Sequence, residues 1–283
     1  MTPALSIRTR QLILGLLLVV LVTLLAQTFA RWELLEDPAR RILYLPSGRT
    51  LQHFCFGYQE LVADLLYLWS IQHTGDPENP YRYQYLSHVY DVITDLDPAY
   101  TDAYLIGSLI LIREANDLEA GLRLLDKGIA ANPDNWLLPT EAGNFCFFSF
   151  EDPYLAEFYY DEALRRPGVP DLVRRLKAAL IFRRGDYREA LAFWLEILET
   201  TEDEYTLGVA RARAHDLKIR VDLLDLQGAV RRFHGERGRL PATLDDLARL
   251  GYLPVLPTDP EGNPYTYDLT TGAVGSAARV LIY

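Results

Sequence analysis

The sequence predicts a mainly α-helical chain: a solenoid of stacked helix hairpins behind an N-terminal transmembrane helix, closed by a small helix and β-hairpin tail. Three observations predict it. An uncharged apolar run lies between Leu12 and Ala30. A small/large/small pattern at helical spacing recurs at starts 35, 35 and 34 residues apart through the middle of the chain. After Gly235 the composition turns to Gly, Pro, Asn and Tyr, the residues of turns and short strands.

Taken in order, residues 1–30 read as a membrane anchor. The apolar run approaches the ~20 residues that span a bilayer as a helix. Arg8 and Arg10 precede it, which places the short N-terminus in the cytoplasm. Thr28-Phe29-Ala30 also fits a small-x-small cleavage site, so a cleaved signal peptide is the alternative. Either way residues 31–283 leave the cytoplasm, most simply for a bacterial periplasm, with the anchor in the inner membrane. Residues 31–54 form a linker.

The charge narrows the partners. The 283 residues carry a net charge of -11, and the two arginines before the anchor mean the body is more acidic still. A nucleic-acid partner is therefore not expected, because phosphates are repelled. The two cysteines, Cys55 and Cys146, form no CxxC motif, so no thiolate metal site or haem attachment is expected. Two buried free thiols and one disulfide both remain open.

Residues 55–202 carry the repeats. Leu86/Tyr90/Ile93, Gly121/Leu125/Gly128, Ala156/Tyr160/Ala163 and Ala190/Trp194/Ile197 each occupy one helix face at i, i+4, i+7. Asp97-Pro98, Asn132-Pro133 and Pro167 punctuate the second helices. Ala142-Gly143 and Ala178-Ala179 supply small residues where first helices approach their neighbours. This pattern resembles the tetratricopeptide-repeat (TPR) family, most clearly in the copy around residues 185–197. It departs in the first copy, where Leu86 replaces the usual alanine. In the third, Trp136 and Pro139 lead us to expect a displaced first helix. The resemblance implies a superhelix of helix pairs whose concave face holds a peptide or protein segment. Residues 203–234 then read as a capping helix, with Leu207, Ala210, Ala214, Ile219, Val221, Leu224 and Val230 as partial apolar stripes.

Residues 235–283 form the tail. Thr243 and Asp246 make a weak capping box before a short helix that Gly251 ends. Residues 265–269 and 279–283 are expected to pair across Thr271-Gly272. Gly238-Arg239-Leu240-Pro241-Ala242-Thr243, Leu253-Pro254 and the run from Asp259 to Tyr265 (DPEGNPY) resemble the C-terminal half of the major pseudopilins of type II secretion. Glu261 stands where that family has tryptophan, and the prepilin start is missing, so the chain is not read as a pilus subunit. A docking module and a convergent cover for the solenoid end are both open.

No catalytic, cofactor or metal site is expected. Glu60 and Asp64, one turn apart, read as a polar stripe, and the pair His88/Asp91 offers too few ligands for a tetrahedral metal. Aromatic anchors for a bound segment are expected at Tyr81, Tyr85, Tyr104, Trp136 and Phe148. The functional expectation is a non-enzymatic periplasmic scaffold in an envelope assembly of the secretion or pilus kind. The alternative is a permanent accessory subunit of an integral membrane complex.

Overall fold

The computed structural model describes residues 20–24, 27 and 45–278. Most of the expected anchor, residues 31–44 of the expected linker and the expected strand at 279–283 lie outside these. Among the described residues no helix is long and apolar enough to cross a membrane. The architecture is mainly helical, and the chain divides after Asp97 into two compact units.

The first unit contains α1 (Gly48–Phe54), α2 (Gln59–Thr74) and α3 (Leu86–Leu96). Ser47 caps α1 by accepting from the Thr50 amide. The missing side chain of Gly48 lets α1 close onto Asp95 of α3, and Gln52 donates to the Asp95 carbonyl at 2.6 Å. Leu86, Tyr90 and Ile93, the first triplet, are all buried. The Ser70 hydroxyl of α2 donates to the Tyr90 oxygen at 3.2 Å, so the pair brings its one buried phenol a partner.

The second unit stacks three helix hairpins. They are α4 (Thr101–Leu109, continuing as a π-helical turn over Ile110–Glu114) with α5 (Leu118–Ala131), α6 (Leu137–Phe148) with α7 (Pro153–Leu164), and α8 (Asp171–Arg184) with α9 (Tyr187–Thr200). Each start is marked in the sequence. Asp117 and Asp152 accept backbone amides at the starts of α5 and α7, and Pro153 sits in the first turn of α7. Gly185, at φ +91°, makes the tight α8–α9 turn that a side chain would strain. The displaced third first-helix is not found: α6 starts in register with α4 and α8, and Pro139 lies in its first turn, where no intrahelical donor is lost.

The triplets are the contact surface between these helices. Leu125, Ala156, Tyr160, Ala163, Ala190, Trp194 and Ile197 are buried. A Cβ on Gly128 would lie 2.7 Å from the Tyr104 ring, and one on Gly143 would lie 2.7 Å from the Tyr160 ring. Small residues are thus required where an aromatic ring crosses the neighbouring helix. Hydrogen bonds repeat the period. The Asn132 amide donates to the Pro98 carbonyl at 2.9 Å, 34 residues earlier. The Arg166 guanidinium, 34 residues later, donates to the Asn132 carbonyl at 2.8 Å and the Asn135 carbonyl at 2.9 Å. The ends of α5 and α7 are each tied by a side chain to backbone 34 residues earlier.

Helix α10 (Glu204–Arg237) is 34 residues long, about 50 Å at helical rise. Its first half packs Ala210, Ala214 and Leu217 against Ala178, Ile181 and Trp194 of α8 and α9. Its second half presents Ile219, Leu226, Ala229, Val230 and Phe233 to the tail. Leu224, read from sequence as part of its stripe, is exposed, because the tail covers the adjoining face. The tail contributes Leu244, Leu247, Leu253, Tyr265 and Ala278. It comprises α11 (Asp245–Arg249), β1 (Thr266–Tyr267) and β2 (Val274–Gly275), with Thr266 opposite Gly275 and Tyr267 opposite Val274. β1 thus pairs with 274–275, while the strand expected at 279–283 lies outside the described residues. Asp268 accepts from the Thr270 and Thr271 amides, and its own amide donates to the Ala273 carbonyl. That closes the loop within six residues and brings 274–275 alongside β1. Asp246 and Thr243 exchange side-chain to amide hydrogen bonds, the reciprocal box expected there.

Candidate partner-binding groove

Two adjoining cavities open on the second unit, and Arg183 lines both. One, about 260 Å³, lies among α8, α9 and α10 and is bounded by Ala179, Phe182, Trp194 and Leu217, with Arg183, Arg213, Asp216 and Arg220. The other, about 350 Å³, lies between the end of α6 and the end of α8. Phe147, Phe148, Glu151, Pro153 and Arg184 complete its lining.

Local structure places these groups. On α10 the positions 213, 216, 217 and 220 fall at i, i+3, i+4, i+7, one helix face. On α8, Ala179, Phe182 and Arg183 share a face for the same reason. The α6–α7 turn puts Glu151 at φ +54°, and the Asp152 cap then starts α7 at once. The abrupt end of α6 leaves Phe148 exposed, edge-on to Phe147 with centroids 4.8 Å apart.

The cations fall into two kinds. Arg184 is tied to Glu157, Asp186 and Glu189. The Asp186 carboxylate first, and Glu157 and Glu189 with it, hold its pKa above the ordinary arginine value, so it is a fixed structural charge. Arg183, Arg213 and Arg220 form no ion pair among the described residues. Arg220 instead lies over the Tyr187 ring at 4.2 Å, and Arg183 over Phe147 at 5.1 Å. In a chain of net charge -11, three guanidinium groups against the single carboxylate of Asp216 give this aromatic cleft a net positive lining. Stacking holds the guanidinium planes while leaving their N–H edges open to an acceptor.

Of the five aromatics expected to anchor a partner, Phe148 lines this groove. Trp136 is half-buried at the start of α6. Tyr81 and Tyr85 are exposed on the first unit, Tyr85 at φ +63°. Tyr104 is corrected to a core residue: it is fully buried against Gly128, with its hydroxyl donating to the Pro98 carbonyl. The groove's arginines were missed in the sequence, although the i, i+3, i+4, i+7 spacing of 213–220 was there to be read.

Cys55 and Cys146 are free and buried. Burial first, then Asp152 and Asp126, pushes the Cys146 thiol up to about 12, which keeps it a protonated, unreactive thiol at neutral pH. Glu60 and Asp64 are exposed, and the His88 ring is within 2.8 Å of the Leu45 carbonyl. Among the described residues no cluster of three or more His, Cys, Asp or Glu is arranged to hold a metal. No protein-family model matches the chain, and no curated protein matches it.

Proposed function

We propose that this chain is a membrane-anchored scaffold of the TPR type, held in a bacterial inner membrane with its body in the periplasm. Its groove along α6, α8 and α10 holds a segment of a partner protein. The observation that carries this reading is the lining of that groove: Phe147, Phe148, Phe182 and Trp194 beside three arginines without ion pairs. Buried aromatic and arginine side chains are the groups that dominate peptide and protein recognition. The open guanidinium edges select a segment bearing carboxylates next to bulky apolar side chains. The pseudopilin-like tail supports an envelope machine of the secretion or pilus kind as the source of that partner.

The test is photo-crosslinking from position 148 in native membranes, with adducts identified by mass spectrometry. It is run beside Arg183→Glu/Arg213→Glu/Arg220→Glu. A single dominant adduct rich in acidic residues, lost in the triple variant, is expected. Adducts unchanged by charge reversal overturn the groove reading. Deleting the tail would bare Leu226, Val230 and Phe233 of α10, so its role is tested with Val255→Glu/Leu269→Glu, at two exposed tail positions. Loss of secretion or pilus components from the adducts supports tail docking, and their retention makes the tail a cover.

A further inference from the structure

Helix α2 buries Ala63 and Ser70 and leaves Leu61, Leu65, Leu68 and Ile71 exposed. Leu61, Leu65 and Leu68 are 54%, 58% and 57% exposed, at i, i+4, i+7, which is one face of the helix. The segment leading into α2 is also rich in exposed rings. Phe54 and Tyr58 are each 67% exposed and Phe56 is 86% exposed. Phe56 sits at φ +49° and Gly57 at φ +90°. A bulky residue rarely adopts that backbone. Here it holds a ring outward at the tip of a turn.

Six exposed large apolar side chains between Phe54 and Leu68 mark a contact, and charge and tethering identify the other side. The charged side chains of α2 are Glu60 and Asp64, both exposed and both acidic. At 100° per residue they lie to one side of the line through Leu61, Leu65 and Leu68. The surface is therefore not built to attract anionic headgroups, but one edge of it is polar enough to stay in water. Residues 31–44 separate the uncharged run ending at Ala30 from Leu45, where the described stretch containing α1 to α3 begins. Even fully extended they reach at most about 50 Å. A unit tethered that closely to the anchor is held beside the bilayer.

We propose that Phe54, Phe56, Tyr58, Leu61, Leu65 and Leu68 rest on the lipid bilayer, with α2 lying along the surface at interfacial depth. Helices of this kind bury their apolar face about 5–10 Å into the headgroup and acyl boundary, and aromatic rings favour that level. The acidic edge sets the roll of the helix, keeping Glu60 and Asp64 in water. The bilayer would thereby orient the first unit rather than leave it swinging on its linker. The inference rests on the anchor reading made under the proposed function.

The test uses the full chain in phosphatidylcholine vesicles, with an environment-sensitive label on Leu68→Cys or, as control, on Glu202→Cys. The native thiols are buried, so the introduced one labels. Flotation after an alkaline wash reports the anchor, and quenching by lipids brominated in the upper acyl chain reports the face. The expected result is a vesicle-borne protein with the label at 68 quenched and blue-shifted and the label at 202 unaffected. High salt should leave both unchanged, because the contact is apolar. Phe54→Ser/Phe56→Ser should lower quenching at 68 without changing flotation. A floating protein whose label at 68 is wet overturns the inference and leaves the anchor standing. A label that is dry but unquenched means a protein surface, such as a second copy, covers the face, and also overturns it. A protein that does not float, with a wet label, removes both.

Discussion

Replacing Gly128 with alanine puts a methyl group where the Tyr104 ring already lies. The new Cβ would be 2.7 Å from Cγ and 2.8 Å from Cδ1 of that ring. Carbon pairs settle at about 3.5–4.0 Å, so the ring must retreat by roughly 1 Å. These are the ring atoms nearest the backbone, and the ring is fully buried with its hydroxyl on the Pro98 carbonyl. Retreat therefore moves α4 or breaks that bond. Overpacking of this kind costs about 1–3 kcal/mol, and the better helix propensity of alanine returns about 1 kcal/mol. Taking the upper half of the range, the net loss is roughly 1–2 kcal/mol, a fall in Tm of about 2–8 °C for a unit of this size. Gly228→Ala is the control. It also lies inside a helix, but nothing approaches its Cβ position within 4 Å, so it should gain about 0.5–1 kcal/mol. The assay is thermal unfolding of the full chain in detergent, followed by far-UV circular dichroism. Opposite signs for the two substitutions are expected. If Gly128→Ala is as stable as the parent while Gly228→Ala gains, the close approach of α5 to Tyr104 is wrong.

Arg166→Lys should cost roughly 1–3 kcal/mol, because one ammonium nitrogen cannot replace both Nη1, which donates to the Asn132 and Asn135 carbonyls, and Nη2, which donates to the Ile129 carbonyl; a denaturant midpoint equal to the parent's would contradict this. Tyr265→Phe removes the 2.7 Å bond to the buried Asp222 carboxylate and leaves Lys218 as its remaining side-chain partner. A loss of roughly 1–2 kcal/mol should appear as faster proteolysis after residue 238. Burial pushes Tyr90 up to about 12 and raises Tyr159, Tyr160 and Tyr265 as well. The folded state favours their neutral form, so this stabilisation is full below about pH 10 and fades as pH rises through 12; phenolate absorbance should show a late-titrating class that appears together with unfolding. Thr270 first, then Thr271, holds Asp268 at about 2. Its contribution is present above about pH 4 and is lost as pH falls toward 2, which amide exchange in the β1–β2 hairpin should report ahead of the helices.

How much was legible depended on the range of the interaction. The triplets from Leu86 to Ile197 were readable because each is a pattern inside one helix, and a face repeated every 34 or 35 residues must meet a copy of itself. The caps at Asp117 and Asp152 and the turn at Gly185-Asp186 are also local chemistry. Tyr104 was misread because burial of an aromatic depends on a partner: Gly128, two dozen residues away, makes room for the ring. The 274–275 partner of β1 was not read because loop length was inferred from composition, whereas the Asp268 carboxylate fixes it by gathering the Thr270 and Thr271 amides.

The sequence by itself determined the helical hairpins, their period and the acidic body, since helix faces, caps and net charge are properties of neighbouring residues. Only the tertiary structure decided the groove and the exposed face of α2. Phe147, Arg183 and Arg220 sit on three different helices, and their convergence exists only once those helices pack. Leu61, Leu65 and Leu68 form a stripe that in sequence is indistinguishable from core. It is read as surface because α3 packs against the opposite side of α2, around Ala63 and Ser70.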